Sequence, residues 1–397
     1  MSTSHQPPKT FSKLEHWSTT IIEYDNDFLK SPLWLSPFKM PPKPGLKEHI
    51  DLAFSPIFGL FDDSLPDGWG LMLMDRFFSS RGIQPTSLSV LDRLSYLGEN
   101  TMGALTYKPT LDGKIEKPYT IDLHNMANAA YEVLNGSVEN VLPALLHAGG
   151  SPGGARPKVL VGIKDNEMLS DSLNLPNGYA HWLVKFHSKI DAMDDGKIEY
   201  AYSLMAKLAG IEMMETRLFK VDDEKHYFGV KRFDRQGSKR FHIHTFGNLV
   251  HANFRIPNCD YELLLKVTKI LTKKASDVEA VFRLMVFNVM THNRDDHVKN
   301  FSFKMNEKNE WEFAPAYDLT FSNGLGDEHS MTVNGEGNPK LDNITILAKG
   351  AGIKPSIATN IVEEVREAVK KWKDAAELAG LSPKISDKIA NSHKLLE

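Results

Sequence analysis

Hydrophobic and polar positions predict few regular elements in the first third of the chain. Prolines recur over the first 50 residues, so we expect short strands and loops there. An acidic turn segment at 62–68 precedes a predicted helix at 69–78. A second predicted helix, at 137–147, has Ser137 as its N-cap. Its apolar face recurs at helical spacing and consists of Val138, Val141, Leu142, Leu145 and Leu146.

After residue 150 the pattern changes to short segments that mix β-branched or aromatic residues with polar ones, as strands do. The predicted strands are 158–164, 181–187, 217–221 and 227–233. A predicted helix over 197–209, ending before Gly210, interrupts them. This order indicates a mostly antiparallel sheet that carries one helix on a face.

From about residue 260 the chain is predicted to be helical. Ser276 to Glu279 has the spacing of a capping box and opens a helix to about residue 292. Apolar residues lie on almost every face of this helix, which is typical of a buried helix. Two short strands (301–305 and 311–314), an irregular stretch rich in Gly and Asn, and further helices including 356–378 follow.

We therefore predict an α+β protein of three parts. These are a small N-terminal module (1–135), a β-rich lobe (136–250) and a helical lobe (251–397). The boundaries follow the changes in pattern at the predicted elements.

The amino-acid composition argues against several classes of protein. The 47 Lys+Arg against 51 Asp+Glu give a formal net charge of −4, which argues against a strongly basic nucleic-acid-binding protein. A single cysteine excludes an internal disulfide and Cys-rich metal sites, and it fits a reducing compartment. No segment approaches the roughly 18 consecutive apolar residues of a membrane span, and the N-terminus lacks a signal pattern. We expect a cytoplasmic protein.

The most informative motif runs from His292 to Asn300, directly after the predicted buried helix. Arg294-Asp295, four residues and Asn300 reproduce the spacing of the kinase catalytic loop, H-R-D-x-x-x-x-N, except that Asn293 replaces its histidine. In that loop the aspartate accepts the proton of the substrate hydroxyl, and the asparagine binds magnesium. The alternative interpretation is a solvated loop that begins with a helix-terminal histidine.

Further residues follow in the order that a two-lobed kinase requires. Asp318, beyond a predicted hairpin, is placed to be a second magnesium ligand. Lys185 ends an apolar strand, as the phosphate-binding lysine of kinases does, and Glu199 in the next helix is a candidate partner. A glycine-rich loop at 149–158 can present backbone N–H groups to phosphate. Taken singly, Lys185 and Glu199 are better explained as a surface lysine and a helix N-terminal glutamate, and the glycine-rich loop could equally be a turn that joins a helix to a strand. The common order of all these features favours a kinase.

Together these residues resemble the HipA family of serine/threonine kinase toxins. The resemblance is carried by the segments 151–158, Arg232 to Arg235, Asp295 to Ser302 and Tyr317 to Leu319, and also by 61–68, which is similar to the N-terminal signature of the family. It covers the chain from about residue 55 to the end. It implies a two-lobed, protein-kinase-like fold with a β-rich lobe and a mainly helical lobe.

The resemblance also implies a role for each matching residue. Asp295 would be the catalytic base, Asn300 and Asp318 would hold Mg²⁺, and Ser151 would be autophosphorylated, which in the family ejects the phosphate loop. ATP would contact a phosphate loop, a strand lysine, a backbone hinge and the lining of the nucleotide site. These ATP-binding residues are Gly153, Gly154, Ala155, Arg156, Pro157, Lys158, Lys185, Lys231, Arg232, Phe233, His297, Asn300, Tyr317 and Asp318.

Partners and departures follow from the same resemblance. It implies a helix-turn-helix antitoxin similar to HipB, DNA contact through that antitoxin, and a protein substrate such as an aminoacyl-tRNA synthetase. Asp296 stands where the family usually has glycine, and it could raise the pKa of Asp295 or add a metal ligand. Pro152 and Pro157 stiffen a loop that is expected to move.

Two alternatives remain open from the sequence. The first is a metal-dependent hydrolase that uses His292, Asp295, Asp296 and His297 as ligands. The second is a kinase-like scaffold or co-repressor without catalytic activity.

Overall fold

The computed structural model describes residues 20–110, 118–134, 145, 153–170, 175–187, 194–221 and 225–396. The chain divides into two compact units, one formed by residues 1–191 and 234–253 and the other by residues 192–233 and 254–397. The three-part boundaries predicted from the sequence stay a prediction, because a compact unit need not coincide with a folding domain.

Helices and strands follow one another along the chain as expected for the α+β class. The helices are α1 (Gly59–Asp62), α2 (Gly68–Ser80), α3 (Val90–Leu97), α4 (Leu123–Leu134), α5 (Asp195–Leu208), α6 (Phe246–Val250), α7 (Tyr261–Thr272), α8 (Ala275–Met290), α9 (Leu341–Ala351), α10 (Pro355–Lys370), α11 (Trp372–Leu378) and α12 (Pro383–Ala390). The longer strands are β3 (Lys158–Lys164), β4 (Glu167–Ser170), β5 (Ala180–Lys185), β6 (Thr216–Lys220), β7 (His226–Lys231) and β12 (Ser302–Met305).

Shorter strands complete the pattern. They are β1 (Ile21–Ile22), β2 (Lys47–Glu48), β8 (Arg235–Gln236), β9 (Lys239–Arg240), β10 (Ile243–Thr245), β11 (Cys259–Asp260), β13 (Trp311–Phe313) and β14 (Met331–Thr332). No helix in the described part of the chain is long and apolar enough to cross a membrane.

The first unit contains an antiparallel sheet in which β3 lies between β4 and β5. The register places Lys158 directly opposite Lys185, so the two lysines share one face of the sheet. The strand β4 was not predicted. It is joined to β3 by a tight turn at Asp165, whose φ is 52°, a left-handed conformation that aspartate tolerates better than most residues.

A buried polar cluster connects distant parts of the first unit. His244 Nδ1 donates to Asp63 Oδ2 at 2.5 Å, and Asn248 Nδ2 donates to Asp63 Oδ1 at 2.8 Å. Ser36 Oγ lies 3.0 Å from His244 Nε2. The order Ser–His–Asp is that of a hydrolytic triad, but Ser36 is only 1% exposed and a substrate cannot reach it. These contacts therefore attach the 234–253 stretch to the N-terminal part of the unit.

The second unit is mainly helical around α8, which is buried along most of its length as predicted and packs against α7 and α10. The predicted capping box at its start is wrong. The helix begins at Ala275, and its N-cap, Lys274, makes no side-chain cap bond. Ser276 therefore lies inside the first turn, and the neighbouring Asp277 carboxylate accepts the N–H of Phe313 in strand β13 at 3.0 Å.

The single helix predicted at 356–378 is also wrong, because the chain turns at Lys371 between α10 and α11. The turn buries Trp372, whose indole N–H donates to the carbonyl of Ser386 at 3.0 Å. The predicted helix at 137–147 lies outside the described residues except for Leu145. The remaining predicted strands and helices are confirmed to within two residues at each end.

Candidate functional site

The loop after α8 carries the candidate catalytic residues. Asp295 is exposed, whereas its neighbour Asp296 is buried. Asn300 ends a short 3₁₀ helix at Val298–Asn300, and its Nδ2 donates to the backbone carbonyl of Asp295 at 2.7 Å. Since this bond fixes the amide, the carbonyl oxygen of the Asn300 side chain is the atom left for coordinating a metal.

Asp318 follows Tyr317 in the left-handed backbone region, with φ at 58°. This conformation is uncommon outside glycine, although aspartate tolerates it better than most residues. The hydroxyl of Tyr317 donates to the carbonyl of Lys299 at 2.7 Å and lies 2.6 Å from Ser302 Oγ. Tyr317 therefore attaches the segment that carries Asp318 to the loop that carries Asn300.

Asp296 is enclosed by donors from the interior of the second unit. Its Oδ2 accepts the hydroxyl of Tyr261 at 2.7 Å and the Nδ1–H of His329 at 2.9 Å. Its Oδ1 accepts the backbone N–H of Ser330 at 2.9 Å. Protein donors contact both oxygens, which favours a structural role for Asp296, and the extra metal ligand considered at this position from the sequence stays a prediction.

Arg294 connects the loop to residues 323–338 through hydrogen bonds. Its Nη2 donates to Asn338 Oδ1 at 2.6 Å, and its Nη1 donates to the carbonyl of Asn323 at 3.2 Å. Its own carbonyl accepts the hydroxyl of Ser330 at 2.9 Å. The arginine of the Arg-Asp pair thus fixes the irregular stretch rich in Gly and Asn, which from the sequence alone had no role.

The two histidines of the loop contact aromatic rings. His292 stacks on Phe321 with ring centroids 5.4 Å apart, and His297 lies 5.4 Å from the ring of Phe254. Within the described ranges, no group of three or more His, Cys, Asp or Glu residues is arranged to hold a metal ion. The four-ligand hydrolase cluster considered from the sequence is therefore not supported.

The predicted hinge residues lie at the end of β7 in the same unit. The N–H of Lys231 donates to the carbonyl of Glu215 at 2.9 Å, so adenine would have to use other backbone groups of this segment. Arg232 is buried. The ring of Phe233 lies 5.9 Å from that of Tyr317, with 30° between the ring planes. The hinge segment and Tyr317 are therefore brought together.

The described part of the glycine-rich loop, residues 153–158, lies against the start of α2 in the first unit. The Gly154 N–H donates to the carboxylate of Asp67. The Trp69 backbone N–H donates to the Gly154 carbonyl, and the Trp69 indole N–H donates to the Lys158 carbonyl, both at 3.1 Å. Sequence reasoning missed Asp67 and Trp69 as loop contacts, although both lie in or beside the segment 61–68 that carried part of the resemblance.

The remaining predicted residues of the first unit differ in exposure. Ala155 is exposed, Arg156 is half-buried and Pro157 is buried. Lys185 is half-buried at the end of β5. Ser151 lies outside the described residues.

Two models of known protein families match this chain, each over a different range of residues. The model for the HipA-like C-terminal domain matches residues 150–372, which is more than half of the chain, and that for the HipA N-terminal domain matches residues 10–108.

A curated relative and solved structures were also found. The protein named "Putative kinase Y4dM", from Sinorhizobium fredii, is 24% identical over 230 residues, and the match covers 53% of this chain and 55% of that protein. The chain therefore matches only about half the length of this relative. HipA from Shewanella oneidensis, solved with HipB and operator DNA, aligns with a TM-score of 0.70 at 16% identity and covers 98% of this chain and 93% of its own. This likeness confirms the predicted α+β, HipA-like fold.

The proinflammatory kinase CtkA from Helicobacter pylori aligns with 54% of this chain and 94% of its own, at 12% identity. Its TM-score of 0.34 is too low to indicate a shared fold.

Proposed function

The chain belongs to the HipA family, and we propose that it is an ATP-dependent serine/threonine protein kinase of a toxin–antitoxin system. The observation that carries the proposal is the hydrogen bond from Asn300 Nδ2 to the Asp295 carbonyl, within a loop that has the kinase spacing. Phosphoryl transfer demands little covalent chemistry from the protein, so fixed positions of a base and of metal ligands are what a kinase loop must provide.

Asp295 is the proposed catalytic base. Its exposure lets the hydroxyl of a protein substrate come within hydrogen-bond distance of the carboxylate, which is the first requirement for proton acceptance. Asp296, with both oxygens occupied inside the protein, cannot take this role, although it is adjacent in sequence.

Asn300 and Asp318 are the proposed ligands of Mg²⁺. An amide oxygen and a carboxylate are donors that Mg²⁺ prefers, and two protein ligands suffice because nucleotide phosphates and water usually complete its coordination. When bound, the ion would neutralise negative charge on the phosphates. The chain supplies the fixed orientation of the amide and the turn that presents the carboxylate.

The opposed pair Lys158 and Lys185 supports a phosphate site in the first unit. Like charges opposite each other on neighbouring strands repel, and a bound polyphosphate would convert that repulsion into attraction. We further propose that the segment Lys231 to Phe233 meets adenine through its backbone and that Tyr317 and His297 line the nucleotide site. The proximity of the Phe233 and Tyr317 rings supports this assignment.

Family membership extends the proposal to partners. The HipA structure from S. oneidensis contains HipB and operator DNA, so we propose a HipB-like helix-turn-helix antitoxin for this chain, with DNA contacted through it. We also propose autophosphorylation at Ser151 and a substrate in translation such as an aminoacyl-tRNA synthetase. Incubation of the protein with Mg-ATP and a cell lysate, followed by phosphosite mass spectrometry, tests both proposals together.

The catalytic assignment is tested with Asp295→Asn and Asp318→Ala. We expect both variants to fold and to lose incorporation of the γ-phosphate of ATP. Asp374→Asn, at an exposed position of α11, removes one carboxylate from the same unit as a control and should retain full incorporation. Phosphate incorporation at the wild-type rate in either catalytic variant would contradict the proposal. Absence of both ATP binding and incorporation in the wild-type protein would favour the scaffold or co-repressor instead.

A further inference from the structure

One peptide group of the glycine-rich loop lies between two opposite charges. The carbonyl of Gly153 and the N–H of Gly154 belong to the same peptide. The N–H donates to the Asp67 carboxylate, and the carbonyl accepts the ammonium of Lys158. Hydrogen bonds with a charged partner are about twice as strong as neutral ones. The orientation of this peptide is therefore fixed from both sides.

The Asp67 carboxylate binds the glycine-rich loop and not the first turn of α2, the helix that it precedes. Asp67 is the N-cap of α2 and has the extended backbone typical of that position. Aspartate is among the preferred N-cap residues because its side chain normally accepts an N–H of the first turn. Here the Asp67 side chain makes no such bond within α2 and instead accepts an N–H from 87 residues away in sequence.

The surroundings of this peptide leave little room for a second anion. A Cβ placed on Gly153 would lie 3.1 Å from Asp67 Oδ1, and one placed on Gly154 would contact the ammonium of Lys158. Lys158 is only 4% exposed. A phosphate that approached the loop would therefore meet a carboxylate at the N–H it requires and a lysine that is already bonded to the loop.

We propose that Asp67 competes with the nucleotide phosphates for the N–H of Gly154 and so lowers the affinity of the protein for ATP. This inference rests on the proposed function, since it requires that the loop binds phosphate. Binding of the nucleotide must break the hydrogen bond between Asp67 and the Gly154 N–H, and it must release Lys158 from the Gly153 carbonyl. The Gly154 N–H and the Lys158 ammonium can then contact phosphate. Asp67 is thus a residue that sets nucleotide affinity without taking part in the transfer.

The test is isothermal titration calorimetry, which measures the affinity of the full chain for ATP in the presence of Mg²⁺. Asp67→Asn keeps the shape and removes the charge, and Asp67→Ala removes the acceptor as well. We expect ATP to bind about tenfold more tightly to Asp67→Ala, with Asp67→Asn between it and the wild type. Asp75→Asn, which removes a carboxylate from the same helix where it pairs with Arg93 at 2.6 Å, is the matched control and should bind ATP as the wild type does.

A second measurement reports on the loop without nucleotide. Amide hydrogen exchange over residues 153–158 should be faster in Asp67→Asn than in the wild type or in Asp75→Asn. Unchanged exchange, or ATP affinity that is unchanged or weaker in both Asp67 variants, overturns the inference. Failure of the wild-type protein to bind ATP would instead contradict the proposed function. Asp67→Asn keeps the test decisive if Asp67→Ala does not fold.

Discussion

Tyr261 and Asp296 lie 35 residues apart in sequence and share a buried hydrogen bond of 2.7 Å. Asn288 Nδ2 in turn donates to the hydroxyl of Tyr261 at 3.1 Å, and Asn293 Nδ2 donates to Asn288 Oδ1 at 3.0 Å. Burial raises the pKa of Tyr261 well above its usual range, so the phenol stays protonated and remains a donor. This chain of bonds holds residues on both sides of Asp295.

Replacement of Tyr261 by Phe removes the donor and leaves an oxygen of the buried Asp296 carboxylate with one partner fewer. A hydrogen bond to a charged group contributes about 1.5–3 kcal/mol to stability. We expect the free energy of unfolding to fall by at least about 1 kcal/mol, measured by urea denaturation.

The control for this variant is Tyr131→Phe on α4, where the tyrosine is 53% exposed. Its effect should stay within about 0.5 kcal/mol, as for most surface substitutions. Equal stability of Tyr261→Phe and the wild type would mean that the network contributes nothing to the folded state.

The contrast between Asp295 and Asp296 shows which relationships a sequence reveals. Asp295 and Asn300 are predicted to act together because of their local spacing, five residues along one loop, and the structure joins them through the hydrogen bond from Asn300 to the Asp295 carbonyl. No local pattern shows that Asp296 is buried while Asp295 is exposed. What separates them is the set of donors that enclose Asp296, and these come from residues more than 30 positions away on either side.

Other differences between prediction and structure arise where a local pattern does not decide the outcome. The pattern at the start of α8 satisfied a local capping rule, but the helix begins at Ala275, which places Ser276 inside the first turn and not at the N-cap. The loop contact of Asp67 spans 87 residues and matches no spacing rule. Periodicity, by contrast, located most helices and strands because it reflects which face of an element is buried. A single sequence does not show which distant residue will bind a given side chain in the folded protein.

Asn300→Asp is expected to reduce phosphoryl transfer even though it retains an oxygen donor. The carboxylate has no N–H to give the Asp295 carbonyl, and it places a negative oxygen where a 2.7 Å hydrogen bond was. Displacement of a catalytic group by about 1 Å can lower the rate about a hundredfold. We expect a loss of that order in kcat for phosphate incorporation, with ATP affinity affected less. A kcat at the wild-type level would show that the orientation of Asn300 is not required.

Acid should destabilise the first unit through His251. Its Nε2 accepts the N–H of Gly59 at 3.1 Å, which requires an unprotonated nitrogen. Burial lowers the pKa of His251 from 6.5 to about 3, and electrostatic interactions with Lys39, His49 and His244 act in the same direction, against Asp62. Between these two pKa values the unfolded state binds the extra proton, so the free energy of unfolding decreases as the pH falls from about 6.5 towards 3.

The variant that isolates this effect is His251→Asn. The backbone of His251 is left-handed, with φ at 62°, and asparagine tolerates that region. We expect the melting temperature of the variant to depend less steeply on pH between 6.5 and 4 than that of the wild type. Parallel pH profiles for the two proteins would remove His251 as the cause.

Gly68→Ala should displace the glycine-rich loop. Gly68 has a φ of +44°, and a Cβ there would lie 2.6 Å from the Cα of Ala155 and 2.7 Å from the carbonyl oxygen of Gly154. Both are backbone atoms, so the loop must move to make room. We expect faster amide exchange at residues 153–158 and a loss of stability larger than backbone strain alone produces.

Gly82→Ala supplies the comparison that separates strain from contact. Gly82 follows the same helix with a φ of +73°, but a Cβ there would meet no atom within 4 Å. Its substitution should therefore cause strain of about 1 kcal/mol and leave exchange in the glycine-rich loop unchanged. If Gly68→Ala and Gly82→Ala had equal effects on stability and on loop exchange, the close approach of α2 to the loop would not be a constraint on its position.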